Sequence, residues 1–258
     1  AMAVGRTSPR DFIASRPPIA ENEAIARALL FAEETRCPLH IVHVTTGQGV
    51  ALVAAAQARG VDVSCETCPQ YLVFSADDIE ELGVLGKCAP PLRAATEPDR
   101  LWECIRDGAL CMVASDHSPS TDIIETGGDF FALPGGISGC QSTRPLLLEH
   151  GYAQRGLSLP TIAALTATTA ARRFQIPSKG EIAIGYDADL TLVDLDAHWN
   201  LQAADLFYRH KRSAYVGTPM RGRITRTYVR GTAVFADGRV ISPPIGRLVT
   251  PRGMYDTG

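Results

Sequence analysis

PLHIVHVTTGQGVALVAAAQARGVDVSCET, residues 38–67, is the stretch of sequence that decides the fold. Residues 38–46 are a short apolar run that predicts a strand, and residues 47–60 predict a helix that ends at Gly60. Residues 61–67 predict a second strand. A strand, a helix and a strand in this order are typical of a βαβ unit, whose two strands lie parallel in one sheet.

The same alternation continues on both sides of this unit. Residues 21–36 have apolar side chains at helical spacing, and residues 97–108 predict a helix that ends at Gly108. Residues 109–119, ALCMVASDHSP, predict a third strand. All three strands are continuous apolar runs, which indicates burial on both faces. We therefore predict an α/β fold with parallel strands.

The second half of the chain has a different residue composition. Residues 120–141 are rich in Gly, Asp, Thr and Pro and predict a long loop, followed by helices over 142–155 and 158–174. Further on, Arg230-Gly231 and Asp237-Gly238 lie between β-rich pieces and predict tight turns.

This change in residue composition predicts two domains. Residues 1–178 would form the α/β domain, and residues 179–258 would form a mainly β domain.

Composition excludes several classes of partner. The chain has 258 residues, a formal net charge of -3 and 45% hydrophobic residues, which gives no broad attraction for nucleic acid or an anionic membrane. The basic run at residues 209–212 is interpreted as solvated surface. No apolar run approaches the ~20 residues that span a bilayer. We expect a small-molecule ligand, with no nucleic-acid and no membrane partner.

The cysteines are seven in number and scattered through apolar segments. An odd number without a framework of spacings favours free thiols in a reducing cytoplasm. The pair Cys65 and Cys68 admits three interpretations: a metal knuckle, a redox pair, or buried small hydrophobic residues. We favour the third, with the stretch CETCPQY as a strand end that runs into a loop.

Polar residues follow the predicted strands at their carboxyl ends, where reactive groups gather in parallel α/β folds. They are His43, the stretch 65–71, and the stretch 115–117. His40 and His43 are three residues apart, so on a strand they would face opposite sides and could not easily share one metal. His43 is nearer the strand's end and is the better candidate.

Asp116 and His117 lie at the end of the third strand. A carboxylate there must be paired, bound to a metal, or turned to water. Together, His43 and Asp116 would suit zinc or a similar ion. The residues alone leave open the alternative of an aspartate that caps the next turn and a histidine satisfied by its neighbours.

Six motifs occur in order along the chain: LHIVHVTT, VSCETCPQYL, KCAPPLR, VASDHSP, KGEIAIGYDADLTLVD and FYRHKRSAYVGTPMRGRITRTYVRG. This series resembles the cyclic amidohydrolases over nearly the whole chain. It is most similar to the allantoinases, with the dihydropyrimidinases and hydantoinases close behind.

The resemblance implies a fold. It corresponds to the C-terminal portion of a TIM-like (β/α)₈ barrel, with the last three strands, joined to the C-terminal part of a small β-sandwich. CETCPQY would then be the end of the seventh barrel strand and part of the pocket wall, without binding metal.

The resemblance also implies a metal-dependent hydrolase that opens a cyclic amide or ureide ring, as in the conversion of allantoin to allantoate in purine catabolism. In this family two divalent ions, commonly zinc, bridge a hydroxide that attacks the amide carbon. His43 matches the histidine ligand of the sixth strand. Asp116 matches the aspartate of the eighth strand, which binds metal and acts as general base and then general acid.

Substrate contacts are implied as well. In this family backbone groups near the positions of Ala89, Pro134 and Gly135 hold the substrate. Ala89 departs from the usual serine, which a backbone contact could survive. His117 either touches substrate or supports a residue that does.

The resemblance covers only the C-terminal part of the family. Four of its six metal ligands and five of its barrel strands have no counterpart in the sequence. We therefore expect this chain alone to be inactive in ring hydrolysis. Three alternatives follow: the sequence is a piece of a longer chain, it is one half of a split enzyme completed by another chain, or it is a non-catalytic scaffold that folds as a homo-oligomer and buries its open edge.

Overall fold

The computed structural model describes residues 1–119 and 129–251. These residues form two compact units, one comprising residues 1–143 and 206–216 and the other comprising residues 144–205 and those from 217 onward. The domain boundary predicted between residues 178 and 179 stays a prediction. Among the helices in the described residues, none has both the length and the apolar character needed to cross a bilayer.

The first unit alternates helices with short strands. Its α-helices and strands, in chain order, are α1 Pro9–Ala14, α2 Pro18–Thr35, β1 Leu39–Ile41, α3 Gly47–Ala58, β2 Val63–Cys65, α4 Pro69–Val73, α5 Ile79–Leu82 and α6 Glu97–Arg106. Single 3₁₀ turns lie at Met2–Val4, Ala76–Asp78 and Gly83–Gly86. The helices predicted over 21–36, 47–60 and 97–108 are confirmed as α2, α3 and α6.

Helix starts in this unit follow from local chemistry. The Ser8 hydroxyl accepts a hydrogen bond from the Asp11 amide, and the Asp11 carboxylate accepts one from the Ser8 amide, so a capping box begins α1. Thr46 caps α3 by accepting a hydrogen bond from the Gly49 amide at 3.0 Å. Thr46 also ends the loop that follows β1, so this cap fixes where the chain turns away from the sheet.

The strands of the βαβ unit are parallel, as predicted, but shorter. β1 and β2 pair in the register Leu39 with Val63 and Ile41 with Cys65. The prediction of a strand over 109–119 is wrong, because the only strand pairing of this segment among the described residues is a parallel bridge between Thr67 and Val113. Three segments still run side by side.

The stretch CETCPQY does not run into a loop. β2 ends at Cys65, and α4 begins at Pro69 with Cys68 in extended backbone just before it. Proline suits the first position of a helix because its missing amide hydrogen would have no partner there. The tight turn of α4 buries Tyr71 and Leu72.

The core of the first unit lies between the strands and the helices that cover them. α3 contacts α2, β2 and α6, and α6 also contacts α4. Trp102 of α6 is 2% exposed, and its indole nitrogen donates to the Leu72 carbonyl at 3.0 Å. A buried indole N–H needs such a partner. This bond fixes α6 against α4.

A buried charge network joins the end of β1 to α2. Arg93 donates to the Glu21 carboxylate at 2.9 Å, to the Thr45 hydroxyl at 2.7 Å and to the Arg16 carbonyl at 2.5 Å. Glu21 also accepts from the Thr45 amide at 2.8 Å. Both charged side chains are nearly sealed from water, at 5% and 9% exposed. The network therefore holds the segment just beyond β1 in place.

The second unit contains two helical segments and an antiparallel sheet. The first helical segment is α7 Thr143–Leu146 with a π-helical stretch Leu147–Ala153, and the second is α8 Leu159–Ala163, a π-helical stretch Ala164–Thr168 and α9 Thr169–Arg173. The sheet has the order β3 Leu190–Asn200, β4 Pro219–Val229, β5 Thr232–Ala236 and β6 Arg239–Val240. A 3₁₀ turn lies at Ala203–Asp205.

Two predicted turns are confirmed in this sheet. Arg230-Gly231 joins β4 to β5, and Asp237-Gly238 joins β5 to β6. All four residues have positive φ, between 47° and 80°. Two-residue hairpin turns with positive φ match the twist of the strands that they join.

Of the loop predicted over 120–141, residues 120–128 lie outside the described residues. Residues 129–142 form turns and irregular structure, which agrees with the prediction.

Replacing Arg93 by Met is expected to destabilise the first unit by about 3–5 kcal/mol, because the buried Glu21 carboxylate would lose its cation. Urea unfolding monitored by tryptophan fluorescence measures the change. The control is Arg59→Met, which breaks an exposed pair with Glu33 at 2.9 Å and should leave the unfolding midpoint unchanged. Equal midpoints for the two variants would contradict the prediction.

Gly222→Ala is expected to destabilise the second unit more than Gly231→Ala. Both glycines have a φ near 80°, so each alanine carries a left-handed strain of about 1–2 kcal/mol. A Cβ at Gly222 would also lie 3.0 Å from Leu148 Cδ1, whereas one at Gly231 meets no atom within 4 Å. The crowding adds about 1 kcal/mol or more. Urea midpoints compared at equal m-values test this, and equal losses would show that the close approach is without effect.

Candidate functional site

The carboxyl ends of three parallel segments lie at one edge of the first unit. β1 ends at Ile41, β2 ends at Cys65, and the third segment pairs through Val113. His43 follows the first of these ends and Asp116 follows the third. The structure therefore places both predicted metal ligands at the same edge, on either side of the β2 segment.

Thr67 ties these segments together beyond β2. Its amide donates to the Met112 carbonyl at 3.2 Å, and its carbonyl accepts from the Ala114 amide at 3.0 Å. Its hydroxyl donates to the Val44 carbonyl at 2.7 Å. Thr67 is fully buried. One residue thus fixes the chain just after the first predicted metal ligand and just before the second.

Both predicted ligands have left-handed backbone. His43 has a φ of 43° and Asp116 a φ of 42°. Such conformations cost a residue other than glycine about 1–3 kcal/mol and cluster at functional sites. His40 and His43 were expected to face opposite sides of one strand. That argument does not apply to His43, because β1 ends at Ile41 and the backbone turns at His43.

The carboxylate of Asp116 is exposed, whereas His43 is half-buried. Asp116 is therefore turned to water, one of the three environments that the sequence left open for it. Its negative charge contributes to raised pKa values at the buried groups Cys68, Tyr71 and Cys88, for which burial is the main cause.

The pair Cys65 and Cys68 behaves as buried apolar residues. Their exposed fractions are 1% and 0%, and both are free thiols. Burial raises the pKa of Cys65 to about 12 and raises that of Cys68 further. Thiols with such pKa values stay protonated at neutral pH, and a protonated thiol is a poor nucleophile. The interpretation as small hydrophobic residues is therefore confirmed.

His117 is held by the loop that returns to this edge. Its Nδ1 accepts hydrogen bonds from the Gly139 amide at 3.1 Å and the Cys140 amide at 3.4 Å. Its ring lies 4.7 Å from the Tyr208 ring. Because Nδ1 accepts, the neutral ring carries its hydrogen on Nε2. His117 can thus offer an N–H to a ligand.

Tyr208 fixes the same loop from its other side. Its hydroxyl accepts from the Gln141 amide at 2.8 Å, and the Gln141 side chain accepts from the Phe207 amide at 2.9 Å. Burial raises the pKa of Tyr208, so the phenol stays neutral. Residues 206–216 thereby support the position of His117.

The predicted substrate contacts Ala89, Pro134 and Gly135 lie on two segments that the structure brings together. The Gly136 amide donates to the Lys87 carbonyl at 2.7 Å. Ala89, Pro134 and Gly135 are themselves exposed residues.

Three supporting residues were missed by the sequence analysis. Lys87 had a usable signal, since it is the only charge in residues 84–92 and a charge in an apolar run needs partners. Thr67 and Tyr208 gave no local signal, because their partners lie far along the chain.

A cavity of about 450 Å³ lies beside β1 in the first unit. Its wall is formed by α2, by residues 40–44 and by the segment that contains Pro90, Pro91 and Arg93. His43 lines it, and Val42 is 47% exposed. The cavity therefore adjoins one of the predicted metal ligands.

The donors present do not complete a metal centre. A tetrahedral zinc site with an open position needs three protein ligands. Across residues 1–119 and 129–251, no three histidine, cysteine or carboxylate side chains come together in a way that could hold an ion. His43 and Asp116 are suitable donors at the right edge, but as a pair they fall short.

Comparison with known proteins gives consistent matches. The model of the amidohydrolase family matches residues 15–234. The chain is 53% identical over 247 residues to a protein named allantoinase from Rubrobacter xylanophilus, and 51% identical over 248 residues to one from Solibacter usitatus. Each match covers 96% of this chain and 54% of the relative. The chain thus spans about half the length of the curated relatives it matches.

Solved structures agree on the fold. The L-hydantoinase (dihydropyrimidinase) from Arthrobacter aurescens matches with a TM-score of 0.90 and 36% identity, over 96% of this chain and 56% of that one. A D-hydantoinase from Thermus sp. matches with a TM-score of 0.89 and 27% identity, over 94% and 54%. The predicted fold class, part of an amidohydrolase barrel with part of its sandwich, is confirmed. The chain belongs to the amidohydrolase family.

Proposed function

We propose that this chain forms part of the active site of an enzyme that hydrolyses the cyclic amide of allantoin and opens its ring to allantoate. The observation that carries this proposal is the 53% identity, over 96% of the chain, to the Rubrobacter allantoinase. The left-handed backbone of His43 and Asp116 at the carboxyl edge supports it independently.

Asp116 is the proposed general base and acid. In ring opening the oxygen of water adds to the amide carbon, the carbon–nitrogen bond breaks, and the nitrogen takes up a proton. The exposed carboxylate of Asp116 can accept the proton from the water and return it to the leaving nitrogen. The proton taken from water is the one that the nitrogen receives, so the reaction needs no other proton donor.

The remaining residues would bind and orient the substrate. The His117 Nε2–H can donate to a carbonyl oxygen of the ring, since Nδ1 is already engaged. Ala89, Pro134 and Gly135 are exposed, and their backbone groups would pair with the ureide N–H and C=O groups. Proline has no amide hydrogen, so Pro134 can only accept.

The proposed cofactor is a divalent metal, zinc in particular, with His43 and Asp116 among its ligands. Imidazole nitrogen and carboxylate oxygen are both zinc ligands. The remaining ligands would come from outside residues 1–258, so we derive no step through the metal.

A complementing polypeptide is the partner that we propose for this purpose. In the sheet that the structure describes, β2 is the one strand that pairs with β1. The cavity adjoins β1. A homo-oligomer is the alternative. The seven free cysteines support the proposal that the protein acts in a reducing compartment such as the cytoplasm.

The second candidate is a hydantoinase or dihydropyrimidinase. The observation that favours it is the TM-score of 0.90 with the Arthrobacter L-hydantoinase. The two candidates share the bond that breaks and differ in the ring that carries it, so substrate preference separates them.

A chimera tests the proposal directly. The part of the Rubrobacter allantoinase that this chain does not match is joined to residues 1–258, and allantoin, hydantoin and dihydrouracil are offered in turn. We expect turnover with preference for allantoin, near two metal ions per chimera by mass spectrometry, and no turnover by the 258-residue chain alone. A folded, metal-loaded chimera that prefers hydantoin would favour the second candidate, and one inactive on all three would favour the scaffold.

Asp116→Asn in this chimera is expected to lower kcat by about 10²–10⁴-fold, because the general base and acid is lost. The matched control is Asp107→Asn. Asp107 is also exposed but precedes the third parallel segment, at the opposite edge, so kcat should not change. A kcat for Asp116→Asn equal to that of the control would contradict the assigned role.

A further inference from the structure

Lys87 is a buried lysine whose ammonium group is surrounded by backbone oxygens. The residue is 5% exposed. Its Nζ donates to the Phe130 carbonyl at 2.7 Å, to the Phe131 carbonyl at 3.1 Å and to the Leu133 carbonyl. An ammonium has three hydrogens, so these three acceptors use all of them. The positive charge is therefore committed to the segment 130–133.

Aromatic rings complete the surroundings of this group. Nζ lies 4.9 Å from the Phe12 ring centroid and 5.2 Å from that of Phe130. Phe12 meets both Phe130 and Phe131 edge to face, with centroids 5.5 Å apart. Ring faces attract a cation within about 6 Å. Carbonyls and rings together enclose the ammonium from several sides.

The backbone of Lys87 is tied to the same loop at a second point. Its carbonyl accepts from the Gly136 amide at 2.7 Å. A Cβ at Gly135 would lie 3.3 Å from that carbonyl oxygen, so the two segments are already in close contact. The side chain thus fastens residues 130–133, and the main chain fastens residue 136.

This double attachment brackets the proposed substrate contacts. Pro134 and Gly135 lie between the two fastened points, and Ala89 is two residues beyond Lys87. The attachment restrains the separation of these residues, which are themselves exposed.

We propose that Lys87 is a positioning residue that sets the distance between the backbone of Ala89 and that of Pro134-Gly135, and with it the fit of the cyclic amide. The substrate part of this inference rests on the proposed function. Lys87 does not touch the reacting atoms, so its loss raises KM and leaves kcat largely unchanged.

The geometry calls for an ammonium rather than any cation. An ammonium is a compact point charge, whereas a guanidinium is planar and presents its donors in a fork. Arginine at position 87 would not place donors toward three carbonyls around one point. Lys87→Arg should therefore behave like a loss of the residue.

The test uses Lys87→Ala, which removes the three terminal carbons and the amine, with propylammonium as the replacement. In the 258-residue chain, hydrogen exchange of the peptide that contains Gly136 should quicken at least tenfold, and propylammonium should restore its protection. 1-Propanol, which has the same length without the charge, should not. Lys211→Ala is the control, because Lys211 is exposed and its Nζ donates to the single carbonyl of Leu206.

In the chimera, Lys87→Ala should raise KM for allantoin about tenfold or more, with kcat within about threefold, and propylammonium should lower KM again. If Lys87→Ala does not fold, Lys87→Met keeps the length and removes the charge, and the same exchange and KM changes are expected without rescue.

If hydrogen exchange at Gly136 is unchanged in Lys87→Ala, the inference is overturned whatever the activity of the chimera. The inference is also overturned if the exchange is faster but KM is unchanged. A wild-type chimera without turnover would defeat the proposed function instead. The exchange and rescue results would then still decide whether Lys87 fixes the loop.

Discussion

The hydrogen bonds of Thr67 are the constraint on which the rest of the site depends. Its backbone pairs with the segment that leads to Asp116, and its hydroxyl holds the carbonyl of Val44, next to His43. Because regular pairing is short on both sides, this one residue carries much of the alignment. A buried threonine that uses its amide, its carbonyl and its hydroxyl leaves no polar group unpaired.

Buried cations hold the loops around this edge. Arg93 binds oxygens from Glu21, Thr45 and Arg16, and Lys87 binds oxygens from the 130–133 segment. In a medium of low dielectric such bonds are strong when complete and costly when one partner is missing. Loops with little regular structure thus acquire defined positions.

Much of the fold could be predicted from the sequence. The helices at 21–36, 47–60 and 97–108 and both hairpin turns have local causes, namely apolar spacing and residues that tolerate positive φ. The third strand was overestimated, because an apolar run does not tell how many residues find a partner. The helix at Pro69 was missed, since five residues give no periodic pattern.

The candidate site was predicted in part. His43 and Asp116 could be chosen because they follow apolar runs, and they do lie at one edge. The support of His117 by Tyr208 could not be inferred, because it depends on a segment that returns from far along the chain. Lys87 shows that a single charge in an apolar run is worth following even without a motif.

The uneven burial of the cysteines gives the protein a natural chemical handle. Thiolates attack alkylating reagents, so Cys65, Cys68 and Cys88, which are buried with raised pKa values, will react slowly with them. Cys37 and Cys140 are the exposed thiols, and the Cys140 amide points at the His117 ring. With Cys37 and the partly exposed Cys104 and Cys111 changed to serine, a fluorophore on Cys140 would report on the candidate site without any cysteine being introduced.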